Sequence, residues 1–480
     1  MKCTEFFVKA FKLLAAVVLA VSSPVIAQTV HVTTTSADLK QALQAQPELQ
    51  FTAAPADASS LIIEVDAAKR FQQIDGFGAS LTDSAAWLLE TKLDAGTRHQ
   101  AMRALFDRGE GIGLSILRQP MGGTDLAREH YTYDDMPAGS KDFALVHFSI
   151  ARDEAEILPA LREALTITPG LKIIASPWSA PAWMKSSDSL IAGKLNRKSY
   201  PAFAQYFVKY MEAYRSAGVP IWAVTLQNEP LFEPKDYMGM AMSATQQKEV
   251  LRDYVGPAFE KARLDTKIMV YDHNWDTPAY PSTILDDAKA AHYAAGTAYH
   301  CYAGNVTAQS LTHDRFPAKD IWETECSGGK WQNGHAFQQT AELVIGTTRN
   351  WSRSVVLWGL ALDPQGNPHA GGCDACRGVI TVDASAQPAR FEPTVDYYVL
   401  GQASKFVIPG AHRIASTDLD AKGLLNVAFR NADGSLALLV LNEGTGPVTF
   451  AVNSEGKSLR YTLAGSTMAT FYWHSQAQDK

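Results

Sequence analysis

Two glutamates stand where short apolar runs give out. Val219–Gln227 (VPIWAVTLQ) is followed by Asn228, Glu229 and Pro230, and Asp320–Glu325 (DIWETE) ends on Glu325 just before Cys326. Neighbouring runs end on compatible chemistry. Leu171–Pro177 leads into Trp178, Gly296–His300 ends on His300 ahead of Cys301 and Tyr302, and Ser354–Leu362 carries Trp358. Two carboxylates in one mouth lined by aromatic and amide side chains have the equipment to split a glycosidic bond. One attacks the sugar carbon while the other protonates the departing oxygen. The acid needs a pKa raised by burial and by its negative neighbour. Each residue taken alone has a plainer role open to it: a capping glutamate, a core tryptophan, a structural histidine. Glu323, two positions before Glu325, shares its face in a regular strand but lies deeper, and reads as a paired structural carboxylate. The joint placement of these residues at run ends is what points to chemistry.

The elements that must position them can be counted. Ile74–Ser80, Ile112–Gln119 and Lys267–Asp272 complete a set of eight short apolar runs. Helical patterns separate them. Pro201–Ala217, for example, repeats its apolar residues every three or four positions until Gly218 stops it. Eight strands apolar on both faces and spaced by helices predict an α/β fold, a (β/α)8 TIM barrel over residues 74–395. In such a barrel the site lies at the C-terminal ends of the strands. An open doubly wound sheet is disfavoured, because neither G-x-G-x-x-G nor a Walker A motif is present. Beyond residue 395 the pattern shifts to short strands: Leu424–Arg430, Leu436–Leu441, Val448–Val452 and Thr467–Trp473. These predict an all-β sandwich over 396–480, joined by an N-terminal strand within 61–73. Residues 28–60, rich in Ala, Thr, Gln, Ser and Pro, read as a weakly ordered leader.

Residues 1–27 read as a signal peptide: Lys2, Lys9 and Lys12, then the apolar run Leu13–Val21, then small residues near Ala27. The expectation is an exported protein, periplasmic or extracellular. The run is too short for about 30 Å of hydrocarbon, so stable membrane insertion is not expected. With 43 Lys+Arg against 50 Asp+Glu, a net charge of -7 and 46% hydrophobic residues, the chain is a folded globular protein without the basic footprint of a nucleic-acid binder. Past the leader four cysteines remain. Cys373 and Cys376 flank two residues in a Gly-rich loop, and a local disulfide is expected there, with free thiols and a metal as the alternatives.

Longer motifs then carry a family likeness: GFGASLTDSAA (76–86), GIGLSILRQPMGGTDLAREHYTYDD (111–135), ASPWSAPAWMK (175–185), WAVTLQNEP (222–230), AYHCYAG (298–304), WETECSGG (322–329), WGLALDPQGNP (358–368) and LGQASKFVIPGAHRI (400–414). The chain resembles glycoside hydrolase family 30, which includes glucosylceramidases and endo-β-1,6-glucanases. The resemblance implies Glu229 as acid/base and Glu325 as nucleophile of a retaining hydrolase. It implies Asn228 on the sugar 2-hydroxyl, Asp125 and Trp178 on other hydroxyls, and Trp358 as a wall. Arg118, Tyr302 and His300 would orient the nucleophile. It implies no metal and no organic cofactor, a carbohydrate or glycolipid substrate, and nothing about protein partners. Two places depart from the glucosylceramidase branch: Cys301, where that branch carries Trp, and the loop 367–383 with Cys373 and Cys376. The leading expectation is a secreted β-glucosidase of the glucosylceramidase type. An endo-β-1,6-glucanase is the alternative, ahead of a β-xylosidase, a β-fucosidase or an inactive carbohydrate-binding protein.

Overall fold

The computed structural model describes residues 28–53 and 61–475. The expected signal peptide lies outside the described residues.

Eight parallel strands close into a barrel, one for each of the eight apolar runs. They are β1 (Gly76–Ser80), β2 (Ile116–Pro120), β3 (Lys172–Ser176), β4 (Ala223–Thr225), β5 (Lys267–Asn274), β6 (Ala294–His300), β7 (Asp320–Glu325) and β8 (Ser352–Leu357). The barrel closes by pairing β8 with β1, Ser354 opposite Gly76. Strands this closely packed leave no room for side chains at some crossings. A Cβ on Gly78 would lie 1.7 Å from the Ile116 carbonyl oxygen.

The interior is built in storeys because side chains alternate along each strand. Ile116, Ile174, Ala223, Met269, Ala298, Trp322 and Val356, one from each of β2 to β8, form a buried apolar plug. Two residues further up, the same strands offer Arg118, Ser176, Thr225, His300 and Thr324, all buried. The wider apolar core lies outside the barrel, between strands and helices.

A ten-stranded sheet forms the second unit and wraps around its own apolar core. Ser435–Asn442 at its centre is buried along its whole length. Leu436, Leu438 and Val440 face the sheet's own core, while Ala437, Leu439 and Leu441 face the barrel helices. That two-sided burial is why the strand reads as unbroken apolar sequence. Leu61–Gln73 joins this sheet between His412–Ser416 and Val448–Ser454.

The expectation of a weakly ordered leader at 28–60 is corrected for the residues described. Thr29–Ser36 is a strand paired antiparallel with Thr467–His474, from His31 opposite Tyr472 to Ser36 opposite Thr467. Val30 and Val32 are buried in the sandwich core, and the Thr35 hydroxyl accepts from Gln402 at 2.7 Å. The run TVHVTTTS is almost wholly β-branched, which is a strand signal that the average composition of 28–60 hides.

Candidate active site

The second storey converges on Asp272. On β2, β3, β4, β6 and β7 the step from the apolar plug to the polar layer is two residues. On β5 it is three, from Met269 to Asp272. Tyr271 and Asp272 adopt φ of 75° and 66°, and the pairing of β5 with β6 shifts register there. This local left-handed turn, costly for residues with a Cβ, delivers a carboxylate to the barrel axis.

Asp272 is fully buried and fully bonded. Its Oδ2 accepts from Thr225 Oγ1 (2.7 Å), Ser176 Oγ (2.8 Å) and Arg118 Nη2 (2.9 Å), and its Oδ1 from Thr324 Oγ1 (2.7 Å). His300 Nε2 lies 3.0 Å from the same Oδ1. Burial works against this charge, but Arg118, His300 and the hydroxyl donors outweigh it and hold the carboxyl far below the usual range.

Arg118, with no exposed surface, distributes its donors among the polar groups above. Nη1 bonds Glu325 Oε2 and Nη2 bonds Asn228 Oδ1 at 2.7 Å. A guanidinium only donates, so the Asn228 oxygen must face it, which leaves the Asn228 NH2 without a protein acceptor among the described residues and open to a ligand hydroxyl. The guanidinium also lies 4.7 Å from the centre of the Trp178 ring. Trp178 stacks on Trp358 at 4.9 Å, and the Trp358 indole donates to Asp125 at 3.2 Å. Burial, with the Glu325 charge adding to it, pushes Asp125 up to about 7.

The two glutamates face each other across His300. Glu325 Oε1 accepts from the Tyr302 hydroxyl at 2.8 Å, and Glu229 Oε1 lies 3.1 Å from His300 Nδ1. A carboxyl oxygen of Glu229, one of Glu325 and a His300 nitrogen all lie within 4.8 Å of one another. Glu229 has a φ of 43°, and its backbone N–H is anchored on the Asp272 carbonyl at 3.0 Å. Strain of this kind at a polar residue persists only where the surroundings over-determine it.

Burial opposes a charge on His300, but Glu325 and Asp272 overcome it and lift the ring to about 10. The protonated cluster then holds two positive groups, Arg118 and His300, and the Asp272 anion. Burial pushes Glu325 up against the pull of His300 and Arg118. Glu229 is held below its usual value because the His300 bond and charge outweigh its burial. The proton on His300 Nδ1 faces Glu229 directly. A proton on Glu229 would make that carboxyl the acid, while Arg118 and Tyr302 hold the charge on Glu325.

Every site residue expected from the sequence is at this mouth: Arg118, Asp125, Trp178, Asn228, Glu229, His300, Tyr302, Glu325 and Trp358. Cys373 is joined to Cys376, and the loop that carries them lies on the Asp125 and Tyr237 side. Gly372 in this loop has φ 65°, and a Cβ there would lie 2.4 Å from the Asp125 Cβ. Three features were not anticipated. Asp272 was visible only as the last residue of a run. Tyr237 packs against the apolar cluster that holds Trp178 and Trp358, without any motif to mark it. Cys301 pairs with Cys326, Cα atoms 5.3 Å apart, and so ties the residue between His300 and Tyr302 to the one after Glu325.

Glu323 is corrected. Trp322 and Thr324 point inward, so Glu323 faces outward, where Trp275 Nε1 (3.0 Å) and Gln309 Nε2 (2.7 Å) donate to it. No cation pairs with it among the described residues, and burial pushes its carboxyl well above the usual range. Glu325 reaches the mouth at the last position of β7, where the pairing with β6 shifts register between Tyr299 and His300.

A parallel barrel with two close carboxyls and stacked tryptophans above its strand ends defines a glycosidase site. Residues 74–407 match the glycosyl hydrolase family 30 TIM-barrel domain and residues 410–471 the beta sandwich domain of that family. The chain belongs to glycoside hydrolase family 30 and is a glycosidase. It is 34% identical over 415 residues to the endo-1,6-beta-D-glucanase of Neurospora crassa, covering 83% of this chain and 84% of that one. It is 29% identical over 448 residues to the lysosomal acid glucosylceramidase of Mus musculus, covering 87% and 84%. Among solved structures, an endo-beta1,6-glucanase superposes with a TM-score of 0.85 at 31% identity, covering 93% of this chain and all of that one.

Proposed function

We propose that the protein is an exported endo-β-1,6-glucanase that works with retention of configuration. The observation that carries the substrate is its greater likeness to endo-1,6-glucanases, at 34% and 35% identity, than to the mouse glucosylceramidase at 29%. The Cys373–Cys376 loop against Asp125 supports it, because this is where the sequence departs from the glucosylceramidase branch. The glucosylceramidase reading therefore becomes the second one.

The close approach of Glu229 and Glu325 supports a double displacement. The Glu325 carboxylate, held by Arg118 and Tyr302, attacks the anomeric carbon. As the C–O bond to the departing sugar breaks, the Glu229 carboxyl gives its proton to that oxygen. Asn228 donates to the 2-hydroxyl of the sugar being transferred. With Glu325 esterified its charge is gone, and Glu229, now anionic, takes a proton from water. The resulting hydroxide displaces Glu325 and frees it as the carboxylate.

Two variants test the roles. Glu325→Gln is expected to abolish turnover of every substrate. Glu229→Gln is expected to cost about 10²–10⁴-fold on the glucan but far less on aryl glucosides whose leaving group needs no proton. Equal losses on both substrates would remove the acid role from Glu229. A parallel assay on β-1,6-glucan and glucosylceramide tests the substrate. Short oligosaccharides from the glucan support the proposal, and glucose from the lipid alone overturns it.

Export rests on residues 1–27. Gln28, the first residue after the expected cut, is already bonded to the His474 carbonyl at 2.6 Å. N-terminal sequencing of secreted material should begin at or near Gln28, and a retained leader would refute cleavage.

A further inference from the structure

Behind the nucleophile, on the side of β6 and β7, lies a pocket of about 480 Å³. That volume is in the range of ligand sites, about 300–1,000 Å³. Its wall is shared with the catalytic centre, because Tyr302 lines the pocket and also donates to Glu325. The Cys301–Cys326 disulfide lines it too and fixes Tyr302 between the two spaces.

The lining is the chemistry of a sugar site. Trp331 and Tyr302 leave 48% and 43% of their surfaces open, an unusual exposure for large aromatics, and the Trp275 ring is held in place by its bond to Glu323. Polar groups surround these rings. Gln332 Oε1 accepts from the Gly329 N–H and from Arg377, so its NH2 donates to Gln339 Oε1 at 3.1 Å. That orientation leaves the Gln339 NH2 without a protein acceptor among the described residues. A lipid chain in this pocket would leave the Gln339 NH2 unpaired, whereas a sugar hydroxyl would accept from it.

We infer that this pocket is an accessory subsite that holds a further hexose unit of the β-1,6-glucan chain, stacked on Trp331 and hydrogen-bonded by Gln339. The inference rests on the glucanase reading and adds a second place where the chain is gripped. It makes the enzyme sensitive to substrate length.

The test is the KM for β-1,6-linked glucose dimers, trimers and tetramers, beside an aryl glucoside. In the wild type KM should fall as the chain lengthens. Trp331→Ala should raise it about tenfold for the tetramer, the cost of truncating one well-placed aromatic, and far less for the aryl glucoside. Trp331→Phe should restore most of the loss, and Gln339→Ala, an exposed change that spares the fold, should reproduce part of it. Wild-type KM values for Trp331→Ala and Gln339→Ala at every length would overturn the subsite while leaving the glucanase intact. A wild type that cuts none of the β-1,6-linked chains would overturn the glucanase reading, and the subsite with it.

Discussion

One pleat separates two storeys of the barrel that obey different rules. The lower, from Ile116 to Val356, is filled with carbon, and its members need only the right volume. The upper, from Arg118 to Thr324, is filled with a bonded charge network in which every group depends on its neighbour's chemistry. The same strands supply both. The lower storey closes the barrel so that water cannot reach the charges from below. The upper turns that dryness into fixed electrostatics, since charges are stronger and unpaired groups costlier there. A volume change below should therefore be felt as stability, and a charge change above as both stability and turnover.

The sharpest way to break the contrast is Asp272→Asn. It strands Arg118 and His300 without their shared anion, and about 3–5 kcal/mol of stability should be lost. Turnover of an aryl glucoside should fall by about 10²–10³-fold, as when one preorganised electrostatic contact is removed. Denaturant unfolding and steady-state kinetics on the same preparation check both. Met269→Ala, three residues away in the lower storey, should cost about 2–5 kcal/mol through the cavity it leaves. Its kcat should change far less than that of Asp272→Asn, and an equal kcat loss would erase the distinction between storeys.

A third prediction concerns pH. Asp125 keeps its proton up to about 7 in the folded protein, against 3.8 ordinarily. Its contribution to stability is therefore full below about pH 3.8 and is lost as pH rises through about 7. The unfolding free energy of the wild type, minus that of Asp125→Asn, should decline across this window. A flat difference would place Asp125 among the ionised groups.

The smallest effect is expected at the rim. Opening Cys373–Cys376, which closes only a three-residue separation, should cost about 2 kcal/mol or less by chain entropy. Opening Cys301–Cys326, at a separation of 25, should cost more, about 3.5 kcal/mol. Only the second should also lower kcat, because it alone tethers Tyr302 to the residue after Glu325. Paired Cys→Ala variants assayed by thermal unfolding and kinetics decide this.

Much of the site was legible in advance for a physical reason. A parallel barrel buries both faces of each strand and opens at the strand ends, so the first polar residue after an apolar run is marked by position alone. Asn228, Glu229, His300 and Glu325 are marked in that way. The alternation of side chains likewise makes Arg118 and Thr324 the inward neighbours of Ile116 and Trp322.

What the chain could not reveal locally is what depends on partners far along it. Asp272 faces inward only because Tyr271 and Asp272 turn left-handed, a strain the Arg118 and His300 charges overcome. Glu323 faces outward although it is two residues from Glu325. Cys301 finds Cys326 because β6 and β7 are adjacent in the closed barrel. The strand at 29–36 exists because 467–474 lies beside it. Local periodicity and strand-end chemistry determined the barrel, its mouth and the two glutamates. Which carboxylate stays charged, which ring is left open and which cysteines meet were decided by packing and electrostatics between segments that only the tertiary structure brings together.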